Sequence, residues 1–331
     1  MSIKSDLARE YIKRFPKTSN HALARKLYAE NNEAYRDLED ARSIIRYCVG
    51  SSGSNNKKRI GSQLIKKAKR SANPLDGFPE GDKYFKDGWS PIALGGAKVA
   101  VFSDMHIPYQ DKDACLAAIK HAKKQGCTDV LINGDFLDIH NMSSFCKDPR
   151  KKNFAQELKV GKDILKRIRD SFSGDITLKL GNHDERYEKY LYNKAAELLD
   201  VEDFEMDRLL KLDELGVRYV KDKRRIKLGK LWVIHGHELP KGMTDPVNPA
   251  RGLYLRTKTT SLCGHWHRTS EHTETSMDEE MVTCWSTGCL CDLRPEYAPI
   301  NKWNHGFAIV TVEASGDFEV DNYRILNGKV L

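Results

Sequence analysis

The feature that most constrains the fold of this chain is a set of five apolar, strand-like runs that each end in a cluster of metal-ligand side chains. These clusters hold six of the eleven histidines and lie in the segments FSDMH (102–106), NGDFLD (133–138), GNHDE (181–185), IHGHE (234–238) and GHWH (264–267). One such cluster alone is typical of a polar loop or of a buried, hydrogen-bonded histidine. Five of them predict a single site, because the carboxyl ends of strands in an open α/β sheet meet at one edge.

The apolar runs fall into two patterns. From residue 97, the runs AKVAVFSD, TDVLING and DITLKLGN alternate with helical stretches at about 111–125 and 154–170, which is typical of βαβ units. Beyond residue 216 the helices become sparse, and further runs predict strands, many of them antiparallel, with the last pair turning at Ser315 and Gly316. The sequence therefore predicts an α/β fold.

Residues 5–50 have a different pattern, with three short amphipathic segments that end at Gly50. Three such helices are typical of a helix-turn-helix domain that binds DNA, although a docking or oligomerisation module has the same periodicity. A Gly- and Pro-rich stretch from Pro74 to Gly96 reads as a linker. We predict a helical domain at 1–55, a basic segment and linker at 56–96, and a large domain at 97–331.

The charge is concentrated in the first 70 residues, which contain 17 Lys and Arg against 7 Asp and Glu. Their net charge is thus +10, whereas the whole chain carries +8. This distribution predicts nucleic acid as a partner, with a merely solvated surface as the alternative. The candidate phosphate contacts are Arg25, Arg42, Arg46, Lys57, Lys58, Arg59, Lys66, Lys67, Lys69 and Arg70.

The rest of the composition bears on the compartment. No window approaches the roughly 18 apolar residues of a membrane span, and we expect no secretory signal at the charged N-terminus. The eight cysteines include no CxxC pair, and their spacing is not that of a small disulfide-rich domain. We therefore expect free thiols and a protein of the reducing cytoplasm. We also expect Cys289 and Cys291 to form neither a disulfide nor a shared metal site. The oligomeric state is left open.

The five blocks, taken in order, resemble the signature of the calcineurin-like metallophosphoesterase superfamily, which is DxH, GDxxD, GNH[DE], a lone histidine after a strand, and GHxH. The resemblance covers residues 98–310 and implies a four-layer α/β/β/α sandwich, here with a small N-terminal all-helical domain. It also implies hydrolysis of phosphate esters by two divalent ions about 3.5 to 4 Å apart, which clamp the phosphoryl oxygens and acidify a bridging water. Bacterial and phage phosphoesterases with a helical module in front are similar to the whole chain.

The resemblance also implies a role for each ligand-type residue. Asp135 would bridge the two ions, and His183 would protonate the leaving group as the general acid. Oxygen and nitrogen ligands without a thiolate favour Mn²⁺, with Fe, Zn²⁺ or Ni²⁺ as alternatives. The implied ligands are Asp104, His106 and His267 for the first ion, and Asn182, His235 and His265 for the second, with Asp135 shared.

Three further residues of the blocks have expected roles, two of them with alternatives. Asp184 either orients the imidazole of His183 or caps the helix that begins at Glu185. Asp138 is expected to orient a ligand histidine. His237 either touches the substrate or plays no part, since the family requires one histidine in that block.

One departure from the family narrows the substrate class. Protein serine/threonine phosphatases of this superfamily have an arginine directly after the second aspartate of GDxVDRG, where this chain has Ile139 followed by His140. The difference favours the phosphodiesterase and nuclease branches, with Arg186, Arg268 or His140 supplying positive charge instead. Our leading hypothesis is a two-metal phosphodiesterase that acts on nucleic acid. The alternatives are a phosphatase or phosphodiesterase for a small nucleotide or phosphoprotein, and a DNA-binding regulatory protein on the same scaffold.

Overall fold

The protein is described by a computed structural model that covers residues 2–50, 75–84, 89–145, 154–240 and 247–331. The chain divides into two compact units, residues 1–82 and 83–331. The basic residues predicted between positions 57 and 70 lie outside the described residues.

The first unit consists of the three predicted helices, α1 (Ile3–Arg14), α2 (Asn20–Glu30) and α3 (Leu38–Val49). Ser19 caps α2 by accepting a hydrogen bond from the Ala22 N–H, and Asp37 caps α3 in the same way. The connection between α2 and α3 spans residues 31–37, which is longer than the three- or four-residue turn of a helix-turn-helix. The core of the unit contains Tyr11, Ile12, Leu23, Leu27, Tyr35 and Ile45 among its buried residues.

The second unit contains thirteen strands and five α-helices in its described residues. In chain order they are β1 (Ile92–Leu94), β2 (Lys98–Phe102), α4 (Lys112–Lys124), β3 (Asp129–Asn133), α5 (Phe154–Ser171), β4 (Ile176–Lys179), α6 (Glu185–Lys194), α7 (Met206–Leu210), β5 (Val217–Val220), β6 (Ile226–Leu228), β7 (Leu231–Ile234), α8 (Pro249–Thr257), β8 (Ser261–Cys263), β9 (Ser270–Thr275), β10 (Met281–Ser286), β11 (His305–Val312), β12 (Phe318–Leu326) and β13 (Lys329–Val330).

These strands form two mixed sheets. The seven-stranded sheet has the order β13-β12-β11-β2-β3-β4-β5, and its strands β2 to β5 are parallel. The six-stranded sheet has the order β1-β6-β7-β8-β10-β9, and its strands β7, β8 and β10 are parallel. The last predicted hairpin is the antiparallel pair β11 and β12.

The sheets pack face to face, and helices cover their outer faces. Val101 and Leu131 of the larger sheet share one apolar cluster with Leu228 and Val233 of the smaller sheet. A second cluster joins the larger sheet to α4 and α5, and a third joins the smaller sheet to α8. The result is the four-layer α/β/β/α sandwich that the resemblance implied. Among the residues described, no helix has the length and apolar character needed to cross a membrane.

Two strands lie where the sequence analysis did not predict them. Ile92–Leu94 falls in the stretch read as a linker, but it pairs in parallel with Ile226–Leu228. Ser270–Thr275 is a largely exposed, polar edge strand that pairs only with β10, so it lacks the apolar alternation that marks a strand in a sequence.

The five clusters follow five strands at neighbouring positions in the two sheets. FSDMH, NGDFLD and GNHDE come at the ends of β2, β3 and β4, which are adjacent and parallel in the larger sheet. IHGHE and GHWH come at the ends of β7 and β8, which are adjacent and parallel in the smaller sheet. The topology therefore brings the clusters together at one end of the sandwich.

Candidate metal centre

The backbone at the predicted ligands is unusual. Five of them adopt a left-handed conformation, with φ of 57° at Asp104, 46° at His106, 50° at Asp135, 68° at His265 and 55° at His267. Such conformations are rare for residues other than glycine, and they concentrate at functional sites. The left-handed backbone changes the direction of each ligand side chain at the point where its strand ends.

Glycine makes the close approach of these loops feasible. Gly134 has a φ of +90°, and a Cβ at this position would overlap the imidazole of His235. A Cβ at Gly181 would overlap the Asp135 carboxylate. The glycines of the GD and GN blocks are therefore required for the packing of one ligand loop on another.

The first predicted ligand group is compact. His106 Nε2 lies 3.1 Å from His267 Nε2 and 3.7 Å from Asp135 Oδ2. Asp104 Oδ1 lies 3.2 Å from His267 Nε2 and 3.9 Å from His106 Nε2. All four residues are buried, with at most 4% of their surface exposed.

The second predicted group shares Asp135 with the first. His235 Nε2 lies 3.3 Å from Asp135 Oδ2, and a nitrogen of His265 lies within 4.8 Å of the ligand atoms of both. His235 Nδ1 lies 2.7 Å from the carbonyl oxygen of Asn133, to which it donates, and this leaves Nε2 facing the carboxylate. Asn182 follows Gly181 at the end of β4, next to His183, whose N–H donates to Asp135 Oδ1 at 2.8 Å.

These groups fit metal ions. Two ligand atoms that each lie about 2.1 Å from one ion are about 3.0 to 3.5 Å apart, close to the separations found here. Within the described part of the chain, Asn182 Oδ1 and His265 Nδ1 are buried without a hydrogen-bond partner, as expected for atoms that bind a metal. Buried carboxylates such as Asp104 and Asp135 also require positive charge nearby.

Electrostatics agree with this interpretation. Burial lowers the pKa of His235, but Asp135 outweighs burial and raises it to about 10. Asp104 likewise raises the pKa of His267 to about 9 against the effect of burial. Burial lowers the pKa of His265 to about 3, which keeps that imidazole neutral, the form that binds metals. The two aspartates thus create a negative potential that attracts divalent cations.

His183 lies beside both groups. Its Nδ1 is 2.9 Å from Asp138 Oδ1, and its Nε2 is 2.9 Å from Arg186 Nη2. Asp138 Oδ1 is also 3.1 Å from His106 Nδ1, so one carboxylate contacts both the predicted general acid and a predicted ligand. Arg186 also donates to the Asp138 carbonyl oxygen at 2.7 Å, which brings it into the site.

Asp184 does something that neither predicted interpretation described. Its buried carboxylate accepts hydrogen bonds from the N–H groups of Gly181 at 2.9 Å, Leu137 at 2.9 Å and Phe136 at 3.3 Å. It makes no side-chain cap to α6, and the carboxylate on His183 is that of Asp138. Asp184 therefore ties the GDxxD loop to the GNHD loop.

His237 makes its polar contacts outside the two groups, although its ring lies 5.2 Å from that of His235. Its Nε2 lies 2.9 Å from Glu185 Oε1 and its Nδ1 lies 3.7 Å from Glu238 Oε2, and only 6% of its side chain is exposed. This placement favours a structural role over contact with the substrate. His140 begins a short 3₁₀ turn and Arg268 follows the last ligand, and both side chains are half-buried.

The sequence analysis missed a buried ion pair that supports His235. Lys179 Nζ lies 2.7 Å from Glu238 Oε1, with only 1% and 4% of the two side chains exposed. Glu238 also accepts hydrogen bonds from the N–H groups of His235 at 3.0 Å and Gly236 at 2.6 Å. The lysine in the apolar run DITLKLGN could have indicated this ion pair, because a buried lysine needs an acidic partner.

Cys289 and Cys291 are free thiols, as predicted, but they lie close together. Isolated bridges at Cys289 and Cys291 flank Leu290, and residues two apart in extended backbone point to the same side. Both thiols are buried and hydrogen-bond to each other, and this bond lowers the pKa of Cys289 against the effect of burial. Cys291 Sγ also lies 3.9 Å from His267 Nδ1, behind a predicted ligand.

Comparison with known proteins agrees with the geometry. The family model described as calcineurin-like phosphoesterase matches residues 97–276. The chain is 27% identical to the Gene 54 protein of Mycobacterium phage L5 over 230 residues, which cover 65% of this chain and 89% of that protein. Among solved structures it resembles Vps29 of Entamoeba histolytica, with 14% identity, 71% and 96% of the chains covered, and a TM-score of 0.38. It also resembles the phosphoesterase Yfce of E. coli, with 13% identity, 68% and 98% covered, and a TM-score of 0.31.

Proposed function

The chain belongs to the calcineurin-like phosphoesterase family and is a hydrolase of phosphoester bonds, and we propose that its substrates are the phosphodiester bonds of nucleic acid. The observation that carries the chemistry is the Asp135 carboxylate, which lies between two groups of nitrogen and oxygen donors beside His183. Two divalent ions held there, which we take to be Mn²⁺, would supply the nucleophile by acidifying a water and would neutralise charge on the phosphoryl oxygens.

His183 is the proposed proton donor. Its contact with Asp138 at 2.9 Å places one proton on Nδ1, while Nε2 accepts from Arg186 at 2.9 Å in the structure described. The transferred proton would be carried on Nε2 once Arg186 donates to a phosphate oxygen instead. The Asp138 carboxylate stabilises the imidazolium and fixes the ring orientation. Arg186, which approaches Nε2 from α6, supplies a positive charge where a phosphate oxygen would sit.

We propose a phosphodiester substrate, and not a phosphoprotein, because of Ile139. This residue occupies the position that carries the phosphate-gripping arginine in protein phosphatases, and it is 1% exposed, so its side chain belongs to the core. Arg186 takes over the positive charge from another element. The position after Asp138 therefore offers no charge to grip a terminal phosphate, and this supports a diester substrate.

The N-terminal unit is the proposed nucleic-acid contact. Arg25 is exposed on α2, whereas Arg42 and Arg46 on α3 lie 3.3 and 3.7 Å from carboxylate oxygens of Glu39. Exposed ion pairs of this kind are worth at most about 1 kcal/mol, so they yield readily to a phosphate. The net charge of +10 over residues 1–70 supports the proposal further.

A substrate panel tests the reaction. The purified protein with Mn²⁺ is given p-nitrophenyl phosphate, its bis ester, cyclic nucleotides and labelled DNA. We expect hydrolysis of the bis ester and of DNA to exceed that of the monoester. Exclusive hydrolysis of the monoester would refute the diester assignment.

Deletion of residues 1–70 tests the role of the first unit. All five ligand clusters lie beyond residue 97, so hydrolysis of a small chromogenic diester should be nearly unchanged. Affinity for DNA should fall, and for the intact protein log affinity should fall with log salt with a slope of magnitude about 3 to 5, as expected for four to six neutralised phosphates. If the shortened protein binds and cuts DNA equally well with the same slope, the unit does not deliver DNA, and a small nucleotide becomes the better substrate.

A further inference from the structure

A pair of aromatic rings leads from the metal centre to the protein surface. The ring of Trp303 packs edge-on against the predicted ligand His267, with centroids 4.1 Å apart and an interplanar angle of 66°. The ring of Tyr297 lies 6.2 Å from that of Trp303. Tyr297 is 63% exposed, so its ring is accessible to a bound ligand.

The segment that carries these rings is held firmly. The Asp292 N–H donates to the Tyr109 carbonyl at 2.8 Å, and the Asn304 N–H donates to the His267 carbonyl at 2.9 Å. Between these anchors, the amide of Asn301 donates to the carbonyls at positions 293 and 298, and its oxygen accepts from the N–H at position 303. Tyr297 is therefore presented on an ordered segment that is tied at both ends to the site.

The electrostatic surroundings of Tyr297 agree with this placement. Burial and the charge of Asp138 raise the pKa of Tyr297, while Arg186 lowers it. Both neighbours belong to the group around His183. Trp303 links the ring of Tyr297 to the predicted ligand His267 by two ring contacts.

We propose that Tyr297, backed by Trp303, is a stacking platform for the nucleobase next to the scissile phosphate. This inference rests on the proposed function and names the part of the substrate that the site recognises beyond the phosphate. A planar, largely exposed ring near a phosphate site suits a base, because every base has a π-face. Stacking also tolerates any base, so the platform would confer recognition of nucleotides without strong sequence preference.

The test compares two diesters that share one leaving group, thymidine 5′-(p-nitrophenyl phosphate) and methyl p-nitrophenyl phosphate. The variants are Tyr297→Ala, Tyr297→Phe and, as a matched control, Tyr192→Ala, since Tyr192 is exposed to a similar degree at 55%. Tyr297→Ala should lower kcat/KM for the thymidine ester about 5- to 100-fold, the range expected for loss of one base–aromatic stack. It should change kcat/KM for the methyl ester less than about twofold, and Tyr297→Phe should retain the wild-type preference, since a phenyl ring stacks equally well.

Equal losses on both esters would show that Tyr297 only supports the fold of its segment, and no loss on either would show that it does not touch the substrate; either result overturns the inference. Failure of the proposed function is distinguished by a second pair, thymidine 5′-monophosphate and methyl phosphate. If the protein cleaves only monoesters, the diester proposal fails, but the base-dependent effect of Tyr297→Ala is still read from this pair.

Discussion

The buried ion pair Lys179–Glu238 allows a stability test, because removing one charge should lower the free energy of unfolding more than removing both. Glu238→Gln leaves the Lys179 ammonium buried without its counterion and also replaces one acceptor oxygen by an amide. Since Glu238 accepts from the N–H groups of His235 and Gly236, one of these loses its partner. In the double variant Lys179→Met/Glu238→Gln, only that lost hydrogen bond remains.

The structure sets the magnitudes. The Glu238 carboxyl is buried, but Lys179 and the neighbouring histidines lower its pKa from the usual 4.5 to about 2. At about 1.4 kcal/mol per pKa unit, its charged form is favoured in the folded protein by about 3 kcal/mol. Breaking a buried pair on one side costs about 3–5 kcal/mol, whereas an unsatisfied buried N–H costs about 1–3 kcal/mol. Both variants lose the N–H partner and only Glu238→Gln leaves a charge unpaired, so the double variant should be about 3–5 kcal/mol more stable than Glu238→Gln, although it carries one more substitution.

Urea unfolding of the metal-free protein at pH 7 measures this difference. All five tryptophans lie between Trp89 and Trp303, so their fluorescence reports on the second unit alone and is not affected by unfolding of the N-terminal helices. Lys179→Met serves as the matched single variant that completes the double-mutant cycle. If Glu238→Gln is as stable as the double variant, or both differ from wild type by less than about 1 kcal/mol, the pair does not stabilise this loop in the way argued here.

Three other predictions concern separate parts of the second unit. Asp135→Asn should abolish turnover and metal occupancy together, whereas His183→Gln should keep both metals and lose about 10²- to 10⁴-fold in rate, as plasma emission and kinetics would reveal; empty sites in the histidine variant would show that His183 is a ligand. Burial raises the pKa of Glu157 to about 7, so its contribution to stability is present below pH 4.5 and is lost as the pH rises through 7. Glu157→Gln should therefore gain about 2–3 kcal/mol relative to wild type between pH 5 and pH 8 in urea titrations, and a pH-independent difference would contradict this. Thiol titration in denaturant without reductant should count eight free cysteines, and a deficit of two would indicate a disulfide between Cys289 and Cys291.

The strands that position the site could be predicted because their apolar runs are continuous and each ends in ligand-type residues. The edge strand Ser270–Thr275 escaped prediction because it buries almost nothing, and Ile92–Leu94 escaped because Gly and Pro surround it. Short polar strands are formed by pairing with a neighbour, and a single sequence does not contain that neighbour's position.

The side-chain roles were harder to predict than the ligand set. Asp184 binds N–H groups of residues 136 and 137, which are almost fifty positions away, so its role depends on how two loops meet. The contacts of His183 with Asp138, and of His237 with Glu185, likewise join separate blocks. Motif spacing identifies which residues gather at the strand ends, but not which neighbour each one contacts.

The left-handed backbone at Asp104, His106, Asp135, His265 and His267 has a consequence for divergence within the family. Each such residue costs roughly 1–2 kcal/mol relative to a relaxed conformation, which glycine would avoid. Five of them together approach the roughly 5–15 kcal/mol by which a whole domain is stable. A descendant released from selection for catalysis would gain stability by exchanging these positions for glycine or asparagine, so loss of the metal site should proceed through the ligands with positive φ before it reaches His235.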